Sequence, residues 1–214
     1  MNKNNVNLWK LRLLIGTRNP SKRKRYSNWF RDIVQEVIDL NDTDVTEKPD
    51  ETGETAEENA EIKAKFYSLQ TKLPCFCEDT ALYVDFLPEN DQPGTHVRRI
   101  EGKEEVSDEE LLAYWEGIVS NVPEDKRAGR WHVAYSVANS NGEVKTISSD
   151  APIIFFSPSS EVKLPGWPMS SLQGPVKFNK PHSELTVEEN EVMSTMSKPK
   201  VQKLIEEFLV NHVI

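Results

Sequence analysis

Three acids and a lysine stand at telling positions in one stretch of this chain. Residues 50–85 read DETGETAEENAEIKAKFYSLQTKLPCFCEDTALYVD. Glu51 precedes a helix-forming run, Lys63 falls inside it, and Glu78-Asp79-Thr80 follows a short apolar run. Two or three carboxylates drawn to one point repel each other unless a cation joins them. Donors that are all oxygen suit a hard cation, Mg2+ or Mn2+. Beside a lysine, such a cation is equipment for holding a phosphate. The competing reading is that these acids are ordinary solvated loop charges.

A second group lies earlier. Gly16-Thr17-Arg18-Asn19-Pro20 is a turn, and the residues after it begin a helix with Lys22, Arg23, Lys24 and Arg25. Positive charge is the wrong sign for a helix N-terminus. An anion bound there would resolve the conflict, since free backbone N–H groups and basic side chains would both face it. A solvated basic face is the alternative.

The elements that must carry these groups follow from pattern. Leu11 to Ile15 is a short buried strand. The helix after the turn runs from Ser21 to about Ile38, with Tyr26, Trp29, Phe30, Ile33, Val34, Val37 and Ile38 as its apolar stripe. Val37 to Leu40 alternatively opens a second strand. Thr55 followed by Glu58 is a capping box, so a helix starts at Thr55 and continues to about Lys72, where Leu73-Pro74 ends it. Ala56, Asn59, Ala60 and Lys63 fall along one side of it. Cys75 to Cys77 is a strand, which puts Glu78 and Asp79 just past its carboxyl end, where α/β sheets bind ligands. Leu82 to Leu87 is a strand or one helical turn. Ser107 with Glu110 caps a helix to about Val119. Arg130 to Ala138 alternates as a strand, and Asn141-Gly142 turns it back into Glu143 to Ile147. The apolar run 151–156 is a core strand or an interface. The last helix, Val201 to about Val210, buries Leu204, Ile205, Phe208 and Leu209.

Composition bounds the class. The chain has 214 residues, 37% of them hydrophobic and 29% charged, enough for a substantial core in one large domain or two small lobes, with no clear linker. A net charge of -9 argues against nucleic acid as a partner. No apolar run reaches the length of a membrane span and the N-terminal stretch has no signal-peptide core, so a cytoplasmic protein is expected. Cys75 and Cys77, two apart in a strand, cannot form a normal disulfide.

The long stretch resembles the signature of the inosine triphosphate pyrophosphatase family, the house-cleaning enzymes that cleave non-standard purine nucleoside triphosphates. The matching residues are Thr52-Gly53, Thr55, Glu58-Asn59-Ala60, Lys63-Ala64, Leu73-Pro74, Glu78-Asp79-Thr80, Leu82, Val84-Asp85, Pro93-Gly94 and Arg98-Arg99. Thr17, Asn19 and Lys22 match the family's phosphate-binding turn, with Arg18 where Gly is usual. The resemblance implies an α/β fold with a mixed, twisted central sheet, flanking helices, and two lobes around a nucleotide cleft. It also implies a homodimer, hydrolysis of the triphosphate to a monophosphate and pyrophosphate, and Mg2+ (Mn2+ as a substitute) held by Glu51, Glu78 and Asp79. Lys22 and Lys63 would neutralise phosphate charge, and Asp79 would place or deprotonate the water. Thr17, Asn19, Thr80, one of the pair Arg98 and Arg99, and Trp167 would complete the substrate site.

The base-selecting half departs from the family. Gly166-Trp167-Pro168 has Pro168 where Asp is expected, and Ser194 to Pro199 supplies neither the His nor the Arg of the family's Ser-His-Arg. The implied function is therefore a triphosphate pyrophosphatase acting on non-standard purines or with altered base preference. The alternative is a nucleotide-binding or sensing module that has lost turnover.

Overall fold

The structure is a computed structural model, and it describes residues 11–212 apart from 101, 104, 105 and 165. Six strands form one sheet in the order β2-β1-β3-β4-β5-β6. They are β1 (Arg12–Ile15), β2 (Glu36–Asp39), β3 (Cys75–Val84), β4 (Ala128–Ala138), β5 (Val144–Phe155) and β6 (Gln173–Pro175). β1 pairs parallel with both β2 and β3, while β5 and β6 pair antiparallel, so the sheet is mixed. Among the described residues five α-helices accompany it: α1 (Pro20–Phe30), α2 (Ala56–Thr71), α3 (Asp108–Ser120), α4 (Val187–Thr195) and α5 (Lys198–His212). None is long and apolar enough to cross a membrane among the described residues.

The chain divides into two compact units. Among the described residues, one comprises those up to 79, 134–149 and those from 194 on; the other comprises those in 80–133 and 150–193. The four divisions fall inside β3, β4, β5 and α4, so no loop serves as a linker. In the first unit, Leu14, Ile38, Ala64, Tyr67, Cys75, Cys77 and Ala138 share a buried cluster. In the second, Trp115 and Val119 of α3 pack with Leu82, Val84, Ile153, Phe155 and Leu172.

Local signals predict the element starts well. Thr55 and Glu58 exchange both hydrogen bonds of a capping box at α2, and Ser107 and Glu110 do the same at α3. The turn between β4 and β5 closes on Asn139, whose backbone N–H donates to the Glu143 carbonyl at 2.9 Å.

Two expectations need correction. The first helix does not run to Ile38. It ends at Phe30, and a turn leads into β2, which lies in register with β1 from Arg12–Glu36 to Ile15–Asp39. The β-branched Val37 and Ile38 gain more on the sheet than in a helix. The second correction concerns Glu78, Asp79 and Thr80. They are not beyond a strand but inside one, since β3 continues from Cys75 to Val84. Of the run Leu82 to Leu87, Leu82 to Val84 belongs to that strand, and the chain then turns, the Leu87 N–H donating to the Val84 carbonyl.

Candidate active site

Strand geometry decides how the two acids are used. Consecutive strand residues point to opposite faces. Phe76 and Glu78 therefore meet α1, whereas Cys75, Cys77 and Asp79 meet α2. On the α2 face, Lys63 Nζ lies 2.5 Å from Asp79 Oδ1 and 3.0 Å from Glu51 Oε2. On the α1 face, Lys22 Nζ lies 3.1 Å from Glu78 Oε1, and the Tyr26 hydroxyl donates to Glu78 Oε2. All of these groups belong to the first unit.

The loops that present them are built by close packing. Gly16 opens the first turn against the thiols. A Cβ there would lie 2.3 Å from Cys77 Sγ and 2.9 Å from Cys75 Sγ. The turn then uses its own side chains. Asn19 Oδ1 accepts from the backbone of Ser21 and of Lys22, and the Asn19 N–H donates to Thr17 Oγ1. Asn19 is thus the cap of α1, which aims the first helical turn. Arg18 donates to the Val45 carbonyl at 2.7 Å, so it ties down the strand-to-helix connection that Gly would leave loose. Glu51 is presented by a loop that buried Asn59 clamps: its side chain accepts from the Gly53 N–H at 2.8 Å and donates to the Gly53 carbonyl.

The charges do not cancel. On the α2 face, two carboxylates share one ammonium. Burial depresses the Lys63 pKa, but Asp79 and Glu51 more than offset it, so the group lies above its ordinary value. Burial lifts the Asp79 pKa; Lys63 and Lys22 pull it down, Glu51 pushes it up, and the net direction is upward. Both partners thus shift upward for different reasons: Lys63 because two carboxylates outweigh its burial, Asp79 because burial, with Glu51, outweighs the two lysines. The basic start of α1 is compensated in the same way, by Glu78 for Lys22 and by Asp39 for Arg23 at 2.5 Å.

The expected trio of metal ligands is only partly gathered. Glu51 and Asp79 converge on Lys63, while Glu78 turns to the other face of β3. Among the described residues no three His, Cys, Asp or Glu side chains stand together as a metal-holding group. The donor chemistry nevertheless fits a hard divalent cation. Every donor is a carboxylate, two of them already converge on a cation, and the three acids have only two lysines between them.

The remaining expected residues lie in the second unit. Thr80 follows Asp79 on β3. Arg98 is committed to the start of α3: one nitrogen donates to the Val106 carbonyl at 3.1 Å and another lies 2.6 Å from Asp108 Oδ1. Arg99 is exposed, 3.3 Å from His96 Nε2. Trp167 is half exposed and its ring lies 4.2 Å from that of His182. Pro168 starts a short 3-10 turn there.

Sequence reasoning missed Tyr26 as a polar group, counting it with the apolar stripe. The signal was present: a tyrosine buried among aromatics needs a partner for its hydroxyl. It also missed Tyr135 on β4. Burial raises the pKa of that phenol and Glu78 adds to the rise, opposed by hydrogen bonds with Ser197 and Ser149. Ser197 stands in the stretch where a His and an Arg were sought.

Comparison with known proteins agrees with this arrangement. The Ham1 family model matches residues 13–152. A dITP/XTP pyrophosphatase of Thermoanaerobacter sp. (strain X514) is 32% identical over 136 residues, covering 62% of this chain and 66% of that protein. One of Bacillus cereus (strain ATCC 14579) is 33% identical over 135 residues, covering 63% and 64%. The match thus spans just under two thirds of these relatives' length. Among solved structures, a nucleoside-triphosphatase / dITP/XTP pyrophosphatase of Mycobacterium abscessus superposes with a TM-score of 0.71 at 26% identity, over 91% of this chain and 99% of that one. A Coxiella burnetii HAM1 protein shares the fold with a TM-score of 0.76 at 21% identity, over 92% and 99%. Family match, relatives and fold agree with the motifs around Lys22, Lys63, Glu78 and Asp79: this chain belongs to the Ham1 family, the inosine triphosphate pyrophosphatase family that its sequence resembles.

Proposed function

We propose that this chain is a divalent-metal-dependent nucleoside triphosphate pyrophosphatase acting on non-standard purine triphosphates of the dITP and XTP kind, with a base preference changed from that of its relatives. The observation that carries the reading is the charge deficit around β3: the carboxylates of Glu51, Glu78 and Asp79 meet only the two ammonium groups of Lys22 and Lys63. A divalent cation turns this excess of one negative charge into an excess of one positive charge, which draws a phosphate to the site.

In the proposed reaction, water adds to the α-phosphorus, the bond to the bridging oxygen breaks, and pyrophosphate leaves with a nucleoside monophosphate as the other product. Glu51, Glu78 and Asp79 would hold Mg2+ or Mn2+, which supplies charge neutralisation and lowers the pKa of water. Lys22 and Lys63 neutralise charge on the triphosphate. Asp79 takes the proton from the attacking water. Thr17 and the capped turn at Asn19 orient the phosphates, with Thr80, Arg98 and Arg99 as further contacts. Trp167 offers a ring face to the base. With Pro168 after it in place of an acid, a hydrogen-bonding group toward the base is lost, and discrimination against bases lacking its partner should fall. We take the enzyme to be a cytoplasmic homodimer; its mass in solution tests the second term.

The experiment is pyrophosphate release from inosine, xanthosine and the four standard ribonucleoside triphosphates and their deoxy forms, with and without Mg2+. Metal-dependent release that Asp79→Asn abolishes supports the reading. Release that Asp79→Asn leaves intact, or none from any triphosphate, refutes it.

A further inference from the structure

Glu78 is the most enclosed of the three acids, with a side chain 4% exposed. Each of its oxygens has its own partner. Lys22 Nζ lies 3.1 Å from one, and the Tyr26 hydroxyl donates to the other. Lys22 and Tyr26 are four residues apart on α1 and share a face of it. They differ in freedom. Lys22 is a flexible side chain, 30% exposed. Tyr26 is 1% exposed, with its ring 4.7 Å from Phe76, 5.1 Å from Trp29 and stacked on Phe30 at 6.1 Å. A ring locked on three sides presents its hydroxyl at one point. Phenylalanine would satisfy those aromatic contacts equally well, so the packing does not account for the hydroxyl.

We propose that Tyr26 is a positioning residue for the reaction: its hydroxyl fixes the Glu78 carboxylate, whose remaining lone pairs then serve a divalent cation. The inference rests on the pyrophosphatase reading and adds a residue to it. A carboxylate oxygen has two lone pairs, so one bond from Tyr26 and one from Lys22 leave Glu78 with capacity for a metal. The arrangement also separates two duties. Lys22 can leave Glu78 for a phosphate oxygen while Tyr26 keeps the carboxylate in place. Without Tyr26, the carboxylate would follow whichever of Lys22 and the metal pulled harder.

Tyr26→Phe deletes the hydroxyl and keeps the ring, so the aromatic packing and the fold are retained. The decisive measurement is Mn2+ affinity of the nucleotide-free protein by calorimetry, for wild type, Tyr26→Phe, Glu78→Gln and the double variant. Loss of a group that orients a ligand weakens affinity or activity about 10- to 100-fold. Tyr26→Phe is therefore expected to weaken Mn2+ binding about 10-fold and to lower kcat by a similar factor. The double variant is expected to bind no more weakly than Glu78→Gln, because Tyr26 acts through Glu78. Equal Mn2+ affinity in wild type and Tyr26→Phe, including no binding by either, overturns the proposal. So does a double variant whose loss is the product of the two single losses. If wild type releases pyrophosphate from no triphosphate, the pyrophosphatase reading fails by itself, and the Mn2+ comparison still decides whether Tyr26 positions Glu78.

Discussion

Removing the ammonium from Lys63 tests the charge arrangement on β3 most directly. Lys63→Met keeps an unbranched stem of similar length and deletes the charge. In the wild type the Lys63 and Asp79 side chains are 13% and 14% exposed, and Glu51 is 47% exposed. The exposed Glu51 contact is worth little. The enclosed Asp79 contact is the one that matters, because breaking a buried pair leaves an unpaired charge at a cost of about 3–5 kcal/mol. Protonation sets a ceiling on that cost. From the ordinary value of 3.8, neutralising Asp79 at pH 7 costs about 4 kcal/mol, and at pH 5 about 1.6 kcal/mol. Stability loss in Lys63→Met should therefore be about 3–4 kcal/mol at pH 7 and smaller by roughly 2 kcal/mol at pH 5.

The signs are fixed by the direction of each shift. Asp79 has a folded pKa above its ordinary value, so its contribution to stability is full below that value and is lost as pH rises through the folded one. Deleting Lys63 raises the folded pKa further and extends that loss toward neutral pH. Lys63 itself is raised above 10.5, so its contribution is full below that value and is lost only in more alkaline solution. Urea unfolding at pH 5 and pH 7 measures the difference. The added change Asp79→Asn should return most of the loss at pH 7 and little at pH 5. An equal loss at both pH values, or no recovery in the double variant, would refute the claim that an unpaired Asp79 charge is what Lys63 prevents.

Two further substitutions test how the loops are held. Gly16→Ala brings a methyl group onto Cys77 Sγ, with Cys75 Sγ and the Tyr67 ring also too close. We expect a loss of about 2–3 kcal/mol in urea unfolding, partly restored by Cys77→Ala, which removes the nearest atom. Thr55→Ala removes the cap of α2 and half of its capping box, for a loss of about 1 kcal/mol, and Thr55→Ser should keep nearly all of it in the same assay.

What was legible in the sequence was local. Thr55 with Glu58 and Ser107 with Glu110 lie three residues apart, and each capping box closes on itself whatever the rest of the chain does. The turn between β4 and β5 is similar, since Asn139 and Glu143 make its bonds. The end of α1 was not local. Tyr26, Trp29, Phe30, Ile33 and Val34 continue a helical stripe past Phe30, and only the pairing of Glu36 to Asp39 with β1 decides that the chain turns away first. The extent of β3 was hidden for a related reason. Glu78-Asp79-Thr80 has the composition of a loop, and it is the place of β3 in the sheet between β1 and β4, both distant in sequence, that extends it as a strand, with Lys22 and Lys63 paired to the two acids.

The site followed the same division. Glu51, Lys63 and Asp79 could be named together because spacing on α2 and the acid pair on β3 suggested them, and they do converge. That Glu78 and Asp79 part company could not be read while they were placed in a loop. Alternation within a strand sends one to α1 and the other to α2. This also gives the adjacent acids unlike surroundings: Glu78 is held on both oxygens, whereas Asp79 competes with Glu51 for one ammonium. In the proposed reaction these two carboxylates, adjacent in sequence, would take different duties: Glu78 a ligand held in place on one face, Asp79 a proton acceptor on the other. A substitution that moved both to one face would merge those duties and, by mutual repulsion, separate their pKa values in a different way.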